Sequence, residues 1–428
     1  MIDPLELNPK YYLTRERSDK YARLQQRIGN TPLQLAAFFT SNGNQIFLKE
    51  EWQNPTASHY DRVFFHLIRH LERLEQISPK SSILWDVSTG NGALALAWIC
   101  KELGYKCVVR VPENIPGATL REIEKMGTEY RKTPAQMYVE GLSDKIIPFL
   151  REVNQIGENH NPRLKSHALQ HVKQDASCKA TEEIGEEIID FFDDAKAQMP
   201  KRPHWFIAAA GNGLSLYCPG RVLKEKWPDL KIVAFEPVES PTALEAWKPR
   251  TFKRAFQERV GHPFDGFKPH CLRGTGGKIR DNANTIEKFP FLQKAIEETD
   301  FLHDIKLVAK SRVEDLVDDY ENCAIVGPTS LAGLRVALDI IEGRNAEGLH
   351  CNPPVSNEVF VVLQYDPGSK YSLDHEWKYT DGLTPFSISD HQHKININLS
   401  NSKQDVHRTP NNRRTQASRD IKNVRGSV

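Results

Sequence analysis

The sequence lacks several features that would place it in a specialised class. It contains no apolar run of the ~18–20 residues that a membrane-spanning helix needs, and residues 1–10 lack the apolar stretch of a secretory signal. Its seven cysteines are scattered and include no C-x-x-C pair, which argues against a disulfide framework and a structural zinc site. With 57 Lys+Arg against 56 Asp+Glu, there is no general electrostatic reason to bind nucleic acid or an anionic membrane. These absences predict a cytoplasmic globular protein without metal, nucleic-acid or membrane partners.

The near-neutral charge is unevenly distributed along the 428 residues. Residues 401–428 contain seven Lys/Arg and two Asp, a net charge of +5 within an overall +1. This segment also has almost no large apolar residues, so it cannot form a core of its own. We predict that the folded body ends near Gly368 and that 369–428 is a polar, largely disordered tail. The tail is either simply solvated or a basic arm for an acidic partner.

Strand and helix patterns alternate through the body. Apolar strand patterns are followed by amphipathic helix patterns, which predicts an α/β fold with parallel strands flanked by helices. The predicted strands cover 46–49, 83–87, 106–111, 205–210, 231–235, 324–326 and 359–364, and the helices between them include 61–76, 94–103, 119–126, 221–226 and 331–341. Ligands of such sheets bind at the carboxyl ends of the strands. Four small or glycine-rich turns occur there: Ser88–Gly92, Gly211–Ser215, Gly274–Gly277 and Gly327–Ser330.

The Gly211–Ser215 turn lies between an apolar strand and a predicted helix. Its glycines allow backbone N–H groups to approach an anion, and a helix N-terminus adds partial positive charge. Such turns are equally common for purely steric reasons. The turn fits neither G-x-x-x-x-G-K-[ST] nor the three-glycine dinucleotide fingerprint, which argues against nucleoside triphosphates and NAD.

The Ser88–Gly92 turn offers two hydroxyls, an amide and free backbone donors at a predicted helix start. This composition suits a small carboxylate. It is equally typical of an ordinary helix-capping turn.

Six segments in the same order resemble the tryptophan synthase β-like (fold type II) pyridoxal-phosphate enzymes. That family includes cysteine synthase, cystathionine β-synthase, threonine synthase and the serine/threonine dehydratases. The segments are Ile28–Leu33 (IGNTPL), Lys49–Arg62, Ser88–Gly92, Gly211–Ser215, Lys224–Pro237 and Gly327–Ser330. The resemblance covers roughly residues 20–345.

The resemblance implies a two-domain α/β fold with a cofactor cleft between the domains. The smaller domain would comprise about 51–150, and the larger domain 20–50 together with 151–368. The implied cofactor is pyridoxal 5′-phosphate and the implied ligand a small amino acid. Members of the family are usually homodimers.

The resemblance also implies site residues. Asn91 would bind the phenolic oxygen of the cofactor, and Thr329 would face its pyridine nitrogen as a neutral partner. The phosphate would be held by Gly211, Asn212, Gly213, Leu214 and Ser215. The carboxylate of the amino acid would be bound by Ser88, Thr89, Gly90 and Gly92. A neutral partner at the ring nitrogen favours β-elimination and β-replacement over chemistry that needs a full electron sink.

The sequence departs from the family pattern at its most important position. The family segment reads Asn-Pro-(Ser/Thr/Gly)-Gly-Ser-x-Lys-Asp-Arg, whereas here Tyr60 replaces the lysine and Ala57 the first glycine. A phenol cannot form an imine with the cofactor aldehyde, so Tyr60 is at most a general acid/base or a stacking group. Leu214 also replaces a glycine, and would be strained if that position needs a positive φ.

Other residues are candidates for the missing function. Lys278, which follows the Gly274–Gly277 turn, is the first choice for a surrogate lysine, and Lys49 is the second; each is otherwise a surface or structural lysine. His59 is a candidate proton carrier or an ordinary packed histidine. Cys218 and Cys271 are interpreted as buried small residues.

Three functions are consistent with this pattern. The first is a protein that binds pyridoxal phosphate, or its adduct with an amino acid, without the usual internal aldimine. The second is an active lyase or synthase that uses a surrogate lysine or another base. The third is a non-catalytic amino-acid-binding or partner subunit. We favour the first, because the carboxylate turn is kept while the lysine is missing.

Overall fold

A computed structural model describes residues 15–36, 42–135, 146–160, 163–194, 202–277, 289–319, 326–374 and 376–405. The strands are β1 (Leu33–Leu35), β2 (Gln45–Glu50), β3 (Ser82–Val87), β4 (Lys106–Pro112), β5 (Glu129–Thr133), β6 (Lys165–Ala168), β7 (Trp205–Ala209), β8 (Lys231–Pro237), β9 (Leu302–Val308) and β10 (Val359–Gln364). The helices are α1 (Arg15–Gln25), α2 (Tyr60–Arg73), α3 (Asn91–Leu103), α4 (Gly117–Lys125), α5 (Ile146–His160), α6 (Asp175–Asp193), α7 (Tyr217–Lys226), α8 (Thr242–Trp247), α9 (Phe252–Val260), α10 (Pro290–Glu297), α11 (Lys310–Asp319), α12 (Pro328–Glu342) and α13 (Ile388–Asp405).

The larger sheet has the strand order β1-β2-β10-β7-β8-β9. Its strands are parallel except for the short edge strand β1, which pairs antiparallel with β2. The central strand β10 is buried at every position. A strand buried at every position requires cover on both faces of the sheet, which the flanking helices provide.

The smaller sheet has the order β5-β4-β3-β6 and is entirely parallel. Successive residues of a strand point to opposite faces of this sheet. Leu84 packs in the core shared with α2 and α3, whereas its neighbours Ile83 and Trp85 pack with Phe149 of α5. The predicted α/β class, with parallel sheets flanked by helices, is confirmed.

Two predicted boundaries differ from the structure. Strand β6 belongs to the smaller sheet, so that sheet extends beyond residue 150. The body also continues past Gly368: the compact unit ends at Ile388, and Lys370, Tyr371 and Trp377 are buried within it. The second unit is Ser389–Val428, of which the structure describes a helical stretch to Asp405. The predicted tail therefore begins too early, and its last part, 406–428, lies outside the described residues.

A disulfide joins Cys178 of α6 to Cys218 of α7. The sequence predicts no disulfide, and this pair corrects that expectation. No helix in the described ranges has the length and apolarity to cross a membrane.

Candidate active site

A cleft opens where the carboxyl ends of the two sheets meet, with a volume of about 650 Å³ including its open mouth. Eight residues that the sequence predicts for the site line it: Tyr60, Thr89, Gly90, Asn91, Gly211, Asn212, Ser215 and Thr329. Ser88, Gly92, Gly213 and Leu214 belong to the same turns but do not line the cleft. The cleft also contains residues that the sequence does not predict, chiefly Arg273, Tyr365, Asp366, Lys370 and Tyr371.

The turn after β7 presents unused backbone donors. Within the described residues, the N–H groups of Asn212, Gly213 and Ser215 donate to no protein acceptor, whereas Leu214 N donates to Asn212 Oδ1 (3.0 Å). Helix α7 begins two residues later, at Tyr217. Free amides at a helix start, beside the Ser215 hydroxyl, form a site suited to a phosphate group.

The backbone conformation of this turn explains why residue 213 is glycine and shows that Leu214 is not strained. Gly213 has a φ of +93°, and a Cβ there would lie 2.1 Å from the backbone nitrogen of Leu292. Leu214 is not among the residues with positive φ and is fully buried in the core. Leu214 therefore lacks the backbone strain that a positive φ would have caused.

The turn after β3 holds Asn91 at the first position of α3. Gly90 N donates to Ser88 Oγ (3.3 Å), which fixes the turn, and Thr89 lines the cleft. The Asn91 amide donates to Asp366 Oδ2 (2.8 Å) and accepts a hydrogen bond from Lys370 Nζ (2.7 Å). Asn91 is thereby held by two groups that come from the chain after β10.

Tyr60 is the first residue of α2 and projects into the cleft. Its hydroxyl accepts a hydrogen bond from Asn212 Nδ2 (3.1 Å). Desolvation raises the pKa of Tyr60 to about 12, so the phenol stays protonated at neutral pH. Ala57, at the glycine position of the segment, has a φ of +58°, which shows that the backbone there keeps the left-handed conformation that favours glycine.

Lys370 lies in a 3₁₀ turn (Gly368–Tyr371) and is only 1% exposed. Besides Asn91, its ammonium donates to the carbonyl oxygens of Thr56 (2.9 Å) and Ala57 (3.0 Å). Burial lowers the pKa of Lys370 to about 8, against the opposing effect of Asp366 and Asp61. The sequence does not single out this lysine.

Asp366 is buried near Lys370. Its Oδ2 also accepts a hydrogen bond from the Tyr371 hydroxyl (2.6 Å), while its Oδ1 has no hydrogen-bond partner among the described residues. Burial raises the pKa of Asp366, and Lys370 opposes that shift. A buried carboxylate oxygen without a partner is costly unless a ligand completes it.

A buried ion cluster fixes the segment that leads to Tyr60. Arg62 binds Glu51 through two hydrogen bonds of 2.9 Å and Glu187 of α6 through bonds of 2.6 and 2.8 Å. Lys49 also binds Glu187 and donates to the Thr31 carbonyl (2.6 Å). The cluster therefore connects the IGNTPL turn, the segment before α2 and helix α6. It also gives Lys49 a structural role outside the cleft.

The family of the chain follows from its sequence. A sequence profile described as "Pyridoxal-phosphate dependent enzyme" matches residues 24–286, more than half of the chain. The chain belongs to the pyridoxal-phosphate-dependent enzyme family. This confirms the resemblance, and family membership implies pyridoxal 5′-phosphate as the cofactor.

Two similar proteins are named cysteine synthase and cystathionine beta-synthase. A cysteine synthase of Staphylococcus aureus (strain Mu50 / ATCC 700699) is 29% identical over 220 residues, which span 51% of this chain and 65% of that protein. A cystathionine beta-synthase of Rattus norvegicus is 26% identical over 269 residues, 61% of this chain and 45% of that protein. The match therefore spans less than two thirds of either relative.

Solved structures share the fold of this chain. The cysteine synthase of Entamoeba histolytica has a TM-score of 0.60 at 18% identity, over 90% of this chain and 96% of that one. O-ureido-L-serine synthase also has a TM-score of 0.60 at 18% identity, over 86% and 97% of the two chains. At this identity the likeness establishes the fold and nothing finer.

The cleft suits the cofactor of the family. The unused amides of Asn212, Gly213 and Ser215 match a phosphate, and Asn91 presents a side-chain amide in the same cleft. Thr329 lines the cleft, but its hydroxyl donates to the Arg273 carbonyl (2.9 Å). A ring nitrogen at that position would require the hydroxyl to change its partner.

His59 and Cys271, two further candidates from the sequence, have little reactivity here. Burial lowers the pKa of His59 to about 4 and raises the pKa of Cys271 to about 12, so at neutral pH His59 is an uncharged imidazole and Cys271 a thiol. Cys218 is in the disulfide. Lys278 lies outside the described residues.

Proposed function

We propose that the chain binds pyridoxal 5′-phosphate in this cleft and acts on an amino acid by β-elimination or β-replacement, with no bond to the cofactor at residue 60. The observation that supports this most directly is the turn after β7, where three unused amides and the Ser215 hydroxyl meet the start of α7. The relatives named cysteine synthase and cystathionine beta-synthase support the reaction class. A homodimer in the cytoplasm is part of the same proposal.

Each side of the cleft has its own task in this proposal. The Gly211–Ser215 turn binds the phosphate, Asn91 holds the phenolic oxygen, and the Ser88–Gly92 turn binds the amino-acid carboxylate at the start of α3. When bound, the cofactor draws electrons away from the α-carbon of the amino acid. Asn91 is already oriented by Asp366 and Lys370, so binding requires little ordering of its side chain.

Tyr60 has a positioning task rather than a chemical one. With its pKa near 12, the phenol neither takes up nor releases a proton at neutral pH. It does hold Asn212 through the 3.1 Å hydrogen bond. Tyr60 thus supports the phosphate turn from the opposite wall of the cleft.

Ser215→Ala is expected to weaken the binding of pyridoxal 5′-phosphate by about 10–100-fold, since a hydrogen bond to a charged group contributes about 1.5–3 kcal/mol. Equilibrium dialysis of the purified chain measures this constant. Ser81→Ala is the matched control, because Ser81 is exposed and lies outside the cleft. Equal affinity of the two variants would show that the phosphate binds elsewhere.

Tyr60→Lys is expected to give covalent capture of the cofactor at residue 60, because the amine would enter the cleft from the family position. Borohydride reduction followed by peptide mapping identifies the modified residue. Tyr60→Phe, which removes only the hydroxyl, should bind the cofactor without capture at this position. A folded Tyr60→Lys variant that binds the cofactor but carries no mark at residue 60 would contradict the proposed placement.

A thermal-shift measurement with pyridoxal 5′-phosphate and a panel of amino acids separates this proposal from a non-catalytic role. Stabilisation by the cofactor is expected, since a ligand that binds only the folded state raises the melting temperature. If none of these compounds shifts the melting temperature, the proposal fails and the non-catalytic interpretation is favoured.

A further inference from the structure

Lys370 is a fully buried cation that, in the part of the chain that the structure describes, is not in direct contact with a carboxylate. Among the described residues, its ammonium makes no ion pair within 4.0 Å, and its three hydrogen bonds go to two backbone carbonyls and one side-chain amide. Buried lysines are rare unless they are paired, because desolvation of the charge is expensive. Lys49 shows the usual solution, since it is bound to Glu187. A buried lysine in a cleft whose nearby carboxylates, Asp366 and Asp61, do not bind it directly is therefore a candidate for chemistry.

The position of the amine points to its partner. Lys370 Nζ contacts the carbonyl oxygens of Thr56 and Ala57, in the turn that leads to residue 60. It also contacts Asn91, which under the proposed function binds the phenolic oxygen. On the pyridine ring, the carbon that bears this oxygen is adjacent to the carbon that bears the aldehyde. The amine therefore lies at the edge of the cleft where an aldehyde would be placed.

We propose that Lys370 supplies the amine that residue 60 lacks and bonds covalently to the cofactor aldehyde. This inference rests on the proposed function. The ammonium first loses one proton to water. The neutral amine then adds its electron pair to the aldehyde carbon, and the aldehyde oxygen leaves as water with the two remaining nitrogen protons. One C=N bond replaces one C=O bond, and no oxidant or reductant is consumed.

The electrostatics favour this role over a purely structural one. Burial lowers the pKa of Lys370 to about 8, so an appreciable fraction of the amine is neutral under mildly alkaline conditions. Asp366 lies close by, with one oxygen unpartnered. Asp366 does not contact the ammonium directly, because the Asn91 amide binds both groups.

Peptide mapping tests the assignment. The full-length protein is incubated with one equivalent of pyridoxal 5′-phosphate, reduced with borohydride, passed through gel filtration and digested. The expected result is a pyridoxyl mark on Lys370 in mass spectrometry. A bound cofactor with its mark on Lys278 or another lysine, or with no mark, would overturn the assignment while leaving the proposed function intact. No binding by equilibrium dialysis would overturn both.

Variants sharpen the test. Lys370→Arg keeps the cation for the Thr56 and Ala57 carbonyls but cannot form the C=N bond, so it should retain dialysable cofactor and lose the mark. Lys268→Met, at an exposed lysine, should keep the mark on Lys370. An undiminished mark elsewhere in Lys370→Arg would contradict the assignment. If that variant does not fold, mapping of the unmodified protein still decides the question.

Discussion

Arg62→Met is expected to lower the free energy of unfolding by about 3–5 kcal/mol, because it removes one partner from a buried ion cluster. The side chain of Glu51 is completely buried and would lose its two-bond partner. Burial opposes a charge on Glu51, but Arg62 and Lys49 hold its pKa at about 2. Without the guanidinium, Glu51 would face a high cost of ionisation. Urea denaturation of the purified protein measures the loss.

The control for this effect is Arg254→Met. Arg254 pairs with Glu258 on the surface of α9, where both side chains are mostly exposed. Exposed pairs of this kind contribute little, so the change should stay within about 0.5 kcal/mol. The double variant Arg62→Met/Glu51→Gln should recover part of the loss, because it removes the stranded charge as well. A loss for Arg62→Met as small as that of the control would refute the structural role of the cluster.

Gly213→Ala is expected to destabilise the protein by about 2–5 kcal/mol and to abolish measurable cofactor binding. The methyl group would meet backbone atoms of Phe291 and Leu292 at 2.4 Å or less, and the residue would still need its φ of +93°. Overpacking costs about 1–3 kcal/mol and a left-handed alanine about 1–2 kcal/mol. Relief of the clash requires α10 or the turn to move, which would displace the amides of Asn212 and Ser215.

Gly104→Ala measures the cost of a left-handed alanine without overpacking. Gly104 ends α3 with a φ of +78°, and a Cβ there meets nothing within 4 Å. Gly104→Ala should therefore lower the free energy of unfolding by about 1–2 kcal/mol and leave cofactor binding unchanged. Thermal denaturation and dialysis of both variants give the comparison. Equal behaviour of the two would mean that the Gly213 turn is free to relax.

Local patterns in the sequence predict most of the framework. Val359–Gln364, whose first five residues are apolar, is a strand with the predicted limits. The turns after β3 and β7 lie at the same cleft. Strand β9 is not among the predicted strands, because His303, Asp304 and Lys306 interrupt its apolar residues. Its pairing with β8 depends on tertiary contacts that a local pattern does not contain.

The limits of prediction are sharpest after residue 364. The composition there is polar, which suggests a tail, yet Trp377 is fully buried and Lys370 lies in the cleft. A lysine in a polar stretch looks like an ordinary surface residue, and nothing local shows that it approaches Thr56, some 314 positions earlier. The Cys178–Cys218 disulfide escapes prediction for the same reason, since its partners are separated by 40 positions without a spacing motif.

The C-terminal wall of the cleft has a consequence for how such proteins are classified. The family profile ends at residue 286, whereas Asp366, Lys370 and Tyr371 all follow β10. A classification based only on the aligned residues records a tyrosine at position 60 and groups the chain with inactive family members. The residues that would distinguish an inactive member from an enzyme with its amine at another position lie beyond the aligned region.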